Sequence, residues 1–189
     1  MSNLSDSEQL QSGQGVEENS RYVQVYTGEG KGKTTASIGL TVRAIGAGWR
    51  VLFSQFLKSG DYSEIKTLKT LSPQLEVVQF GSGRFVRGKP TEEEILQARE
   101  GLDFLEHKMV SGQYDLMILD EINVALHFNV ISLERVLAFL DKRPSSVELV
   151  LTGRWAPDEI LKQADLVTEM LPVKHYFKKG VRSRTGIEK

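Results

Sequence analysis

The chain contains no cysteine. That single absence removes disulfides, thiol nucleophiles, iron–sulfur clusters and thiolate zinc sites together, and it fits a reducing compartment. Any redox step must therefore be carried by something other than the protein's own thiols. No run approaches the ~20 apolar residues that cross a bilayer, and the first 20 residues lack the basic start and apolar middle of a secretion signal. The expectation is a cytoplasmic protein that does not enter the membrane. An excess of one charge is missing too. Lys and Arg number 24 against 25 Asp and Glu, a formal net charge of −1, so bulk attraction to nucleic acid is not expected. Partners must be read from sites.

What is present is an ordinary globular composition, 40% hydrophobic and 26% charged, in 189 residues, a length near the ~100 to 200 residues of one domain. Residues 1–20 are rich in Ser, Gln, Gly, Asn and Glu, carry the acids Asp6, Glu8, Glu17 and Glu18 and no base, and show no periodic apolar face. They read as a flexible arm, leaving residues 21–189 as the single domain. The other end is basic: Lys174, Lys178, Lys179, Arg182, Arg184 and Lys189 face Glu188 alone.

Between the ends, short apolar, β-rich runs at 22–26, 51–56, 75–80, 116–120, 149–152 and 166–170 alternate with helical stretches. That alternation predicts an α/β fold with a mostly parallel sheet and helices on both faces. A first helix is expected over 33–47, closing at Gly48. Thr91 and Glu94 stand at capping-box spacing after Pro90, ahead of Ile95, Ala98, Leu102, Leu105 and Met109 on one helical face, a stripe for core packing. A third helix is expected over 133–142, where Leu133, Val136, Leu137 and Leu140 share a face and Pro144 follows.

Chemistry concentrates in Thr27-Gly28-Glu29-Gly30-Lys31-Gly32-Lys33-Thr34, which follows the first strand and opens the first helix. That is the setting of a phosphate-binding loop. Glycines let successive backbone N–H groups turn toward phosphate oxygens, the helix N-terminus adds positive character, Lys33 supplies a cation, and the Thr34 hydroxyl can reach Mg²⁺. Thr27 stands where the usual pattern has glycine. Downstream, Leu116-Met117-Ile118-Leu119-Asp120-Glu121 reads as a buried strand ending in two carboxylates, the arrangement that delivers an acid to the metal. Together these features predict a P-loop NTPase fold of the RecA-like kind.

The string from Thr27 through Thr35, then Arg43-Ala44-Ile45-Gly46, Leu119-Asp120-Glu121, Arg143-Pro144, Thr152-Gly153-Arg154 and Pro172-Val173-Lys174-His175, resembles the P-loop ATP:corrinoid adenosyltransferases over nearly the whole chain. The resemblance implies transfer of the 5′-deoxyadenosyl group of ATP to the cobalt of a reduced corrinoid, with triphosphate leaving. Cobalt(I) is itself a strong nucleophile, so no protein nucleophile or general base is required. The protein's tasks are alignment and stabilisation of the departing charge. The residues expected to serve these are Gly28, Glu29, Gly30, Lys31, Gly32, Lys33, Thr34 and Thr35 in the loop. Asp120 and Glu121, with Thr34, are expected at the metal. Arg154 is a candidate phosphate contact and Arg43 a candidate nucleoside contact.

The resemblance also marks Gly81-Ser82-Gly83-Arg84-Phe85-Val86-Arg87-Gly88-Lys89 as the corrinoid-facing segment. Some family members place two aromatics there, spaced two apart, to displace the lower cobalt ligand; this chain has Arg84 and Val86 at those places and Phe85 between them. A homodimer is implied, and a separate reduced flavoprotein or similar electron donor. His175 is not expected to ligate cobalt, and Trp49 and Trp155 read as packing residues. A small-molecule kinase or a hydrolysing ATPase would use the same loop and acid. A kinase would add a base for its acceptor, and none stands out.

Overall fold

The computed structural model describes residues 20–83 and 88–188. The arm of residues 1–20 therefore lies, but for Ser20, outside the described residues, as do Arg84, Phe85, Val86 and Arg87. Six strands alternate with helices in the order β1 (Val23–Thr27), α1 (Lys33–Gly46), β2 (Val51–Phe56), α2 (Ser63–Leu71), β3 (Leu75–Phe80), α3 (Glu92–Val110), β4 (Leu116–Asp120), α4 (Ile122–His127), α5 (Leu133–Asp141), β5 (Glu148–Thr152), α6 (Asp158–Gln163) and β6 (Leu166–Glu169), with a 3₁₀ turn at Tyr176–Lys179. The strands form one sheet in the order β3-β2-β4-β5-β1-β6. Every pairing is parallel, so the expected mostly parallel sheet is wholly so.

Strand alternation divides the core into two layers. Leu52, Met117, Leu119, Leu149 and Leu151 pack on one face with Leu102, Leu105 and Met109 of α3 and Phe139 of α5. Val51, Phe53, Leu116, Ile118 and Val150 pack on the other with Ala44 of α1 and Ile65 and Leu68 of α2. Helices thus cover both faces, which is why β2, β4 and β5 are buried along their whole length. The edge strand β6 is exposed throughout.

Local chemistry sets the boundaries. The Thr91 hydroxyl accepts from the Glu94 N–H at 3.2 Å while the Glu94 carboxylate accepts from the Thr91 N–H at 2.9 Å, so the capping box at α3 is formed on both sides. Ser132 caps α5 through the Arg135 N–H at 3.3 Å. Helix α1 ends at Gly46, and the chain reverses through Gly48 at φ 84°, a conformation open to glycine. Among the described residues no helix is long and apolar enough to cross a membrane.

Candidate active site

The first shell of the site collects at the carboxyl ends of parallel strands, where open α/β sheets bind ligands. β1 delivers the glycine loop, β4 delivers Asp120, β5 delivers Thr152 and Arg154, and β2 leads into Lys58. Three residues at this edge hold left-handed backbone without being glycine: Leu57 at φ 62°, Glu121 at φ 63° and Trp155 at φ 59°. Such conformations cost of order 1–3 kcal/mol each and gather where function fixes the chain.

The loop is pressed against the segment after β6. The Gly30 N–H donates to the Met170 carbonyl at 2.6 Å, and the Met170 N–H donates to the Thr27 carbonyl at 2.9 Å. A Cβ on Gly28 or Gly30 would lie 2.5 or 2.6 Å from that Met170 oxygen, so both glycines are required by close backbone approach. Thr27 itself is buried, and its hydroxyl accepts from the Ala156 N–H at 3.4 Å. A hydroxyl at that place ties the loop to the segment between β5 and α6, a contact glycine lacks.

Lys33 opens α1 and is buried. Its ammonium donates to the carbonyls of Gly28 at 2.6 Å and Gly30 at 2.7 Å, so it lies inside the loop's own curve. Burial, and next the positive charge of Arg154, hold its pKa below the ordinary 10.5, while Glu121, Glu29 and Asp120 pull the other way. Arg154 is close enough for that influence and forms an exposed ion pair with Glu29 at 3.2 Å. Thr35 lies in the first turn of α1, beside Thr34.

The Thr34 hydroxyl donates to Asp120 Oδ1 at 2.9 Å, joining the loop to the end of β4. Because β5 lies between β1 and β4, a third group fills the gap. Thr152 at the end of β5 donates to the same Oδ1 at 2.6 Å and accepts from the Glu121 N–H at 3.1 Å. The other Asp120 oxygen accepts from Gln55 Nε2 at 3.0 Å, and Gln55 Oε1 accepts from Gln79 at 3.1 Å. Asp120 is thus fully buried and fully engaged. Lys58 places its ammonium 3.9 Å from Asp120 and 3.5 Å from Glu121. Burial alone would lower the pKa of Lys58, yet Asp120, Glu121 and Glu64 together outweigh it and raise it. Glu121 is pushed up, first by burial and then by Asp120, with Lys58 and Lys33 opposing.

The donor set tests the expectation of Mg²⁺. Among the described residues no three His, Cys, Asp or Glu gather into a cage, and Thr34 with one or two carboxylates is the hard oxygen set that Mg²⁺ uses when phosphates and water complete its octahedron. The residues fit the ion. Asp120, already accepting three hydrogen bonds, is suited to orienting Thr34 or a metal-bound water, and Glu121 is the freer carboxylate.

Other expected residues fall elsewhere. The Lys31 ammonium is engaged by Tyr176, Ile187 and Glu188. Arg43 is exposed in the last turn of α1; at 1.5 Å per residue it stands about 15 Å along the helix from Lys33, so the chain does not bring it to the loop. Phe85 is outside the described residues. Trp49 packs partly buried with the Arg21 guanidinium 3.4 Å over its ring. Trp155, read as a packing residue, is instead 42% exposed, and stacks on His127 with centroids 4.2 Å apart. A cavity of about 350 Å³ beside that stack is lined by Gly88, Lys89, Pro90, Ile95, His127, Phe128 and Asn129.

Comparison with known proteins decides among the enzymes that share this loop. Residues 19–188 match the family model described as ATP:corrinoid adenosyltransferase BtuR/CobO/CobP. The chain belongs to that family. The corrinoid adenosyltransferase of Pseudomonas aeruginosa is 32% identical over 165 residues, covering 87% of this chain and 81% of that protein. The Escherichia coli K12 enzyme of the same name is 33% identical over 87% of this chain and 83% of its own, and corrinoid adenosyltransferase CobA of Salmonella typhimurium is 32% identical over the same shares. Among solved structures, the flagellar accessory protein FlaH of Methanocaldococcus jannaschii superposes with a TM-score of 0.51 at 15% identity, over 83% of this chain and 73% of that one. At that identity the likeness bears on the fold alone. The activity of this chain, as a member of that family, is transfer of the adenosyl group of ATP to a corrinoid.

Lys58, Gln55 and Thr152 were not foreseen from sequence. Gln55 carried a usable signal, since a polar residue inside the apolar strand run 51–56 must find a buried partner. Thr152 stood in the string Thr152-Gly153-Arg154, but its contact with Asp120 had no signal, and Lys58 had none at all, because their neighbours are distant in sequence.

Proposed function

We propose that the loop of residues 28–34 grips the triphosphate of ATP, and that this triphosphate departs as a unit when a reduced corrinoid takes the adenosyl group. The observation that carries the reading is the placement of the Lys33 ammonium on the Gly28 and Gly30 carbonyls, beside a Thr34 hydroxyl tied to Asp120. A short rotation would exchange those carbonyls for phosphate oxygens, a stronger charge-assisted partner. Mg²⁺, held by Thr34 and Glu121 with Asp120 behind them, would supply positive charge where negative charge develops on the leaving group. Arg154 would exchange Glu29 for phosphate in the same way. Since charge stabilisation and alignment suffice, the site needs no protein nucleophile.

The rest of the proposal concerns the setting. The enzyme acts in the cytoplasm as a homodimer, and a separate reduced flavoprotein or similar donor supplies electrons to cobalt. Phe85 belongs to the proposed corrinoid-facing segment, of which Gly88 and Lys89 line the cavity beside His127. The test is one incubation with ATP, Mg²⁺ and chemically reduced corrinoid. It should give a light-sensitive cobalt–carbon product and one inorganic triphosphate per adenosyl group, and Lys33→Ala should lower the rate by at least ~100-fold, the scale of losing a principal electrostatic stabiliser. Orthophosphate released at full rate without corrinoid would sink the reading.

A further inference from the structure

The segment after β6 has little apolar burial to hold it. Leu171, Val173, Phe177 and Ile187 are all exposed, and its one regular element is the four-residue turn Tyr176–Lys179. A polar knot holds it instead. Glu188 Oε1 accepts from Lys31 at 3.0 Å, from Arg184 at 3.1 Å and from the Tyr176 hydroxyl in a short bond; Oε2 accepts from the Arg184 N–H at 2.9 Å. The Arg184 guanidinium lies 5.0 Å from the centroid of the Tyr176 ring. Among the described residues, the hydrogen bonds that join residues 175–188 to the body of the protein all run through Lys31.

Lys31 sits between Gly30 and Gly32 in the phosphate loop, and an ammonium has three donors. All three have acceptors within reach: Glu188, the Ile187 carbonyl at 2.9 Å and the Tyr176 hydroxyl at 3.3 Å. The residues it ties down are basic, with Lys178, Lys179, Arg182 and Arg184 against Glu188. Arg184 first, then Tyr176, hold the Glu188 carboxyl well below the usual carboxylate range, with Lys31 adding to them, so this acid stays charged. Glu188 in turn raises the pKa of Lys31.

We propose that Lys31 is a positioning residue, the anchor of a cationic strap formed by residues 175–188, and that it acts on the triphosphate through that strap rather than by touching phosphate. The proposal rests on the reading of residues 28–34 as the triphosphate site. Sequence pattern alone assigns Lys31 and Lys33 the same task. The structure separates them: Lys33 is inside the loop and Lys31 is bound to the strap.

A double-mutant cycle decides between anchor and ligand. Lys31→Gln, Glu188→Gln and the double variant are compared for affinity toward inorganic triphosphate with Mg²⁺ and for trypsin cleavage after Lys178 and Lys179. An anchor predicts that each single variant weakens triphosphate binding about 2- to 5-fold, the scale of one displaced exposed charged group. The double should be no worse than either single, and all three should be cut faster at the strap. Independent losses that multiply in the double variant would make Lys31 a direct phosphate ligand and overturn the proposal. So would unchanged trypsin cleavage in Glu188→Gln, or tighter triphosphate binding by that variant, which would make Glu188 a competitor of phosphate. Wild-type protein that fails to bind triphosphate would sink the loop reading instead, while the trypsin comparison would still report on the anchor.

Discussion

Replacing Asp120 by Asn tests the central joint of the site with almost no change in shape. One carboxylate oxygen accepts from Thr34 and Thr152, and the other from Gln55 Nε2. An amide keeps one acceptor and must turn a donor toward the remaining partner. Facing Gln55, its Nδ2 meets Nε2, donor against donor. Gln55 cannot simply flip, because its Oε1 already accepts from Gln79. Leaving a buried donor unpaired costs ~1–3 kcal/mol, and the two hydroxyl bonds fall from charge-assisted to neutral strength, roughly half. Relief of the repulsion that helps to push up Glu121 offsets part of this. The net loss should be about 2–3 kcal/mol, and at ~2–4 °C per kcal/mol for a domain of this size the melting temperature should fall by about 4–12 °C. Thermal unfolding without nucleotide measures it, and the same scan with ATP and Mg²⁺ should show a smaller ligand-induced rise than wild type, since Thr34 has lost its orienting charge. A variant that melts within ~1 °C of wild type would refute the claim that the hydrogen bonds converging on Asp120 stabilise the folded chain.

The contacts of Lys33 and of Gly101 each lead to further outcomes. Because burial and Arg154 depress the pKa of Lys33, this residue binds more protons in the unfolded chain than in the folded one between that lowered value and 10.5, so the contribution of Lys33 to the stability of the free protein should rise with pH through this window. Triphosphate affinity should fall across the same window, since the protonated lysine is the anion-binding form; Arg154→Ala should move that alkaline limb to higher pH, and an unmoved limb in a titration of affinity against pH would refute the electrostatic link. Gly101 lies buried inside α3, where helix propensity alone favours Ala by about 1 kcal/mol, yet a Cβ there would lie 2.4 Å from the Phe80 ring. Gly101→Ala should therefore lower the urea midpoint, with overpacking at ~1–3 kcal/mol outweighing propensity, and a more stable variant would contradict the packing.

What the sequence made legible was what neighbouring residues decide. The runs 51–56, 75–80 and 116–120 are strands over those bounds: β2 and β4 are buried along their length, and β3 at the sheet edge, with only Leu75 buried, still carries the β-rich run Leu75, Val77, Val78 and Phe80. At β1, β5 and β6 the ends differ by one residue, where hydrogen bonding to a neighbour strand decides the boundary. Helices α2, α4 and α6 were not foreseen. α4 and α6 have six residues each, α2 buries only Ile65 and Leu68, and none has a side-chain cap. The phosphate loop was legible because its glycines, lysine and threonine act within eight consecutive residues. Asp120 and Glu121 were read from the end of their strand, but the contacts of Thr152, Gln55 and Lys58 with them were not, for a topological reason. With β5 inserted between β1 and β4, the Thr34 hydroxyl meets Asp120 over a strand that is neither residue's own, and Thr152 becomes the third member of the joint. The same order puts β2 on the far side of β4, so that Gln55 and Lys58 reach the acids from there. A site assembled from four strands of a parallel sheet is specified by strand order as much as by motif. The two lysines of the loop make the point at the smallest scale: two residues apart in one glycine-rich turn, one is turned onto the loop's own carbonyls and the other to residues more than 140 positions away.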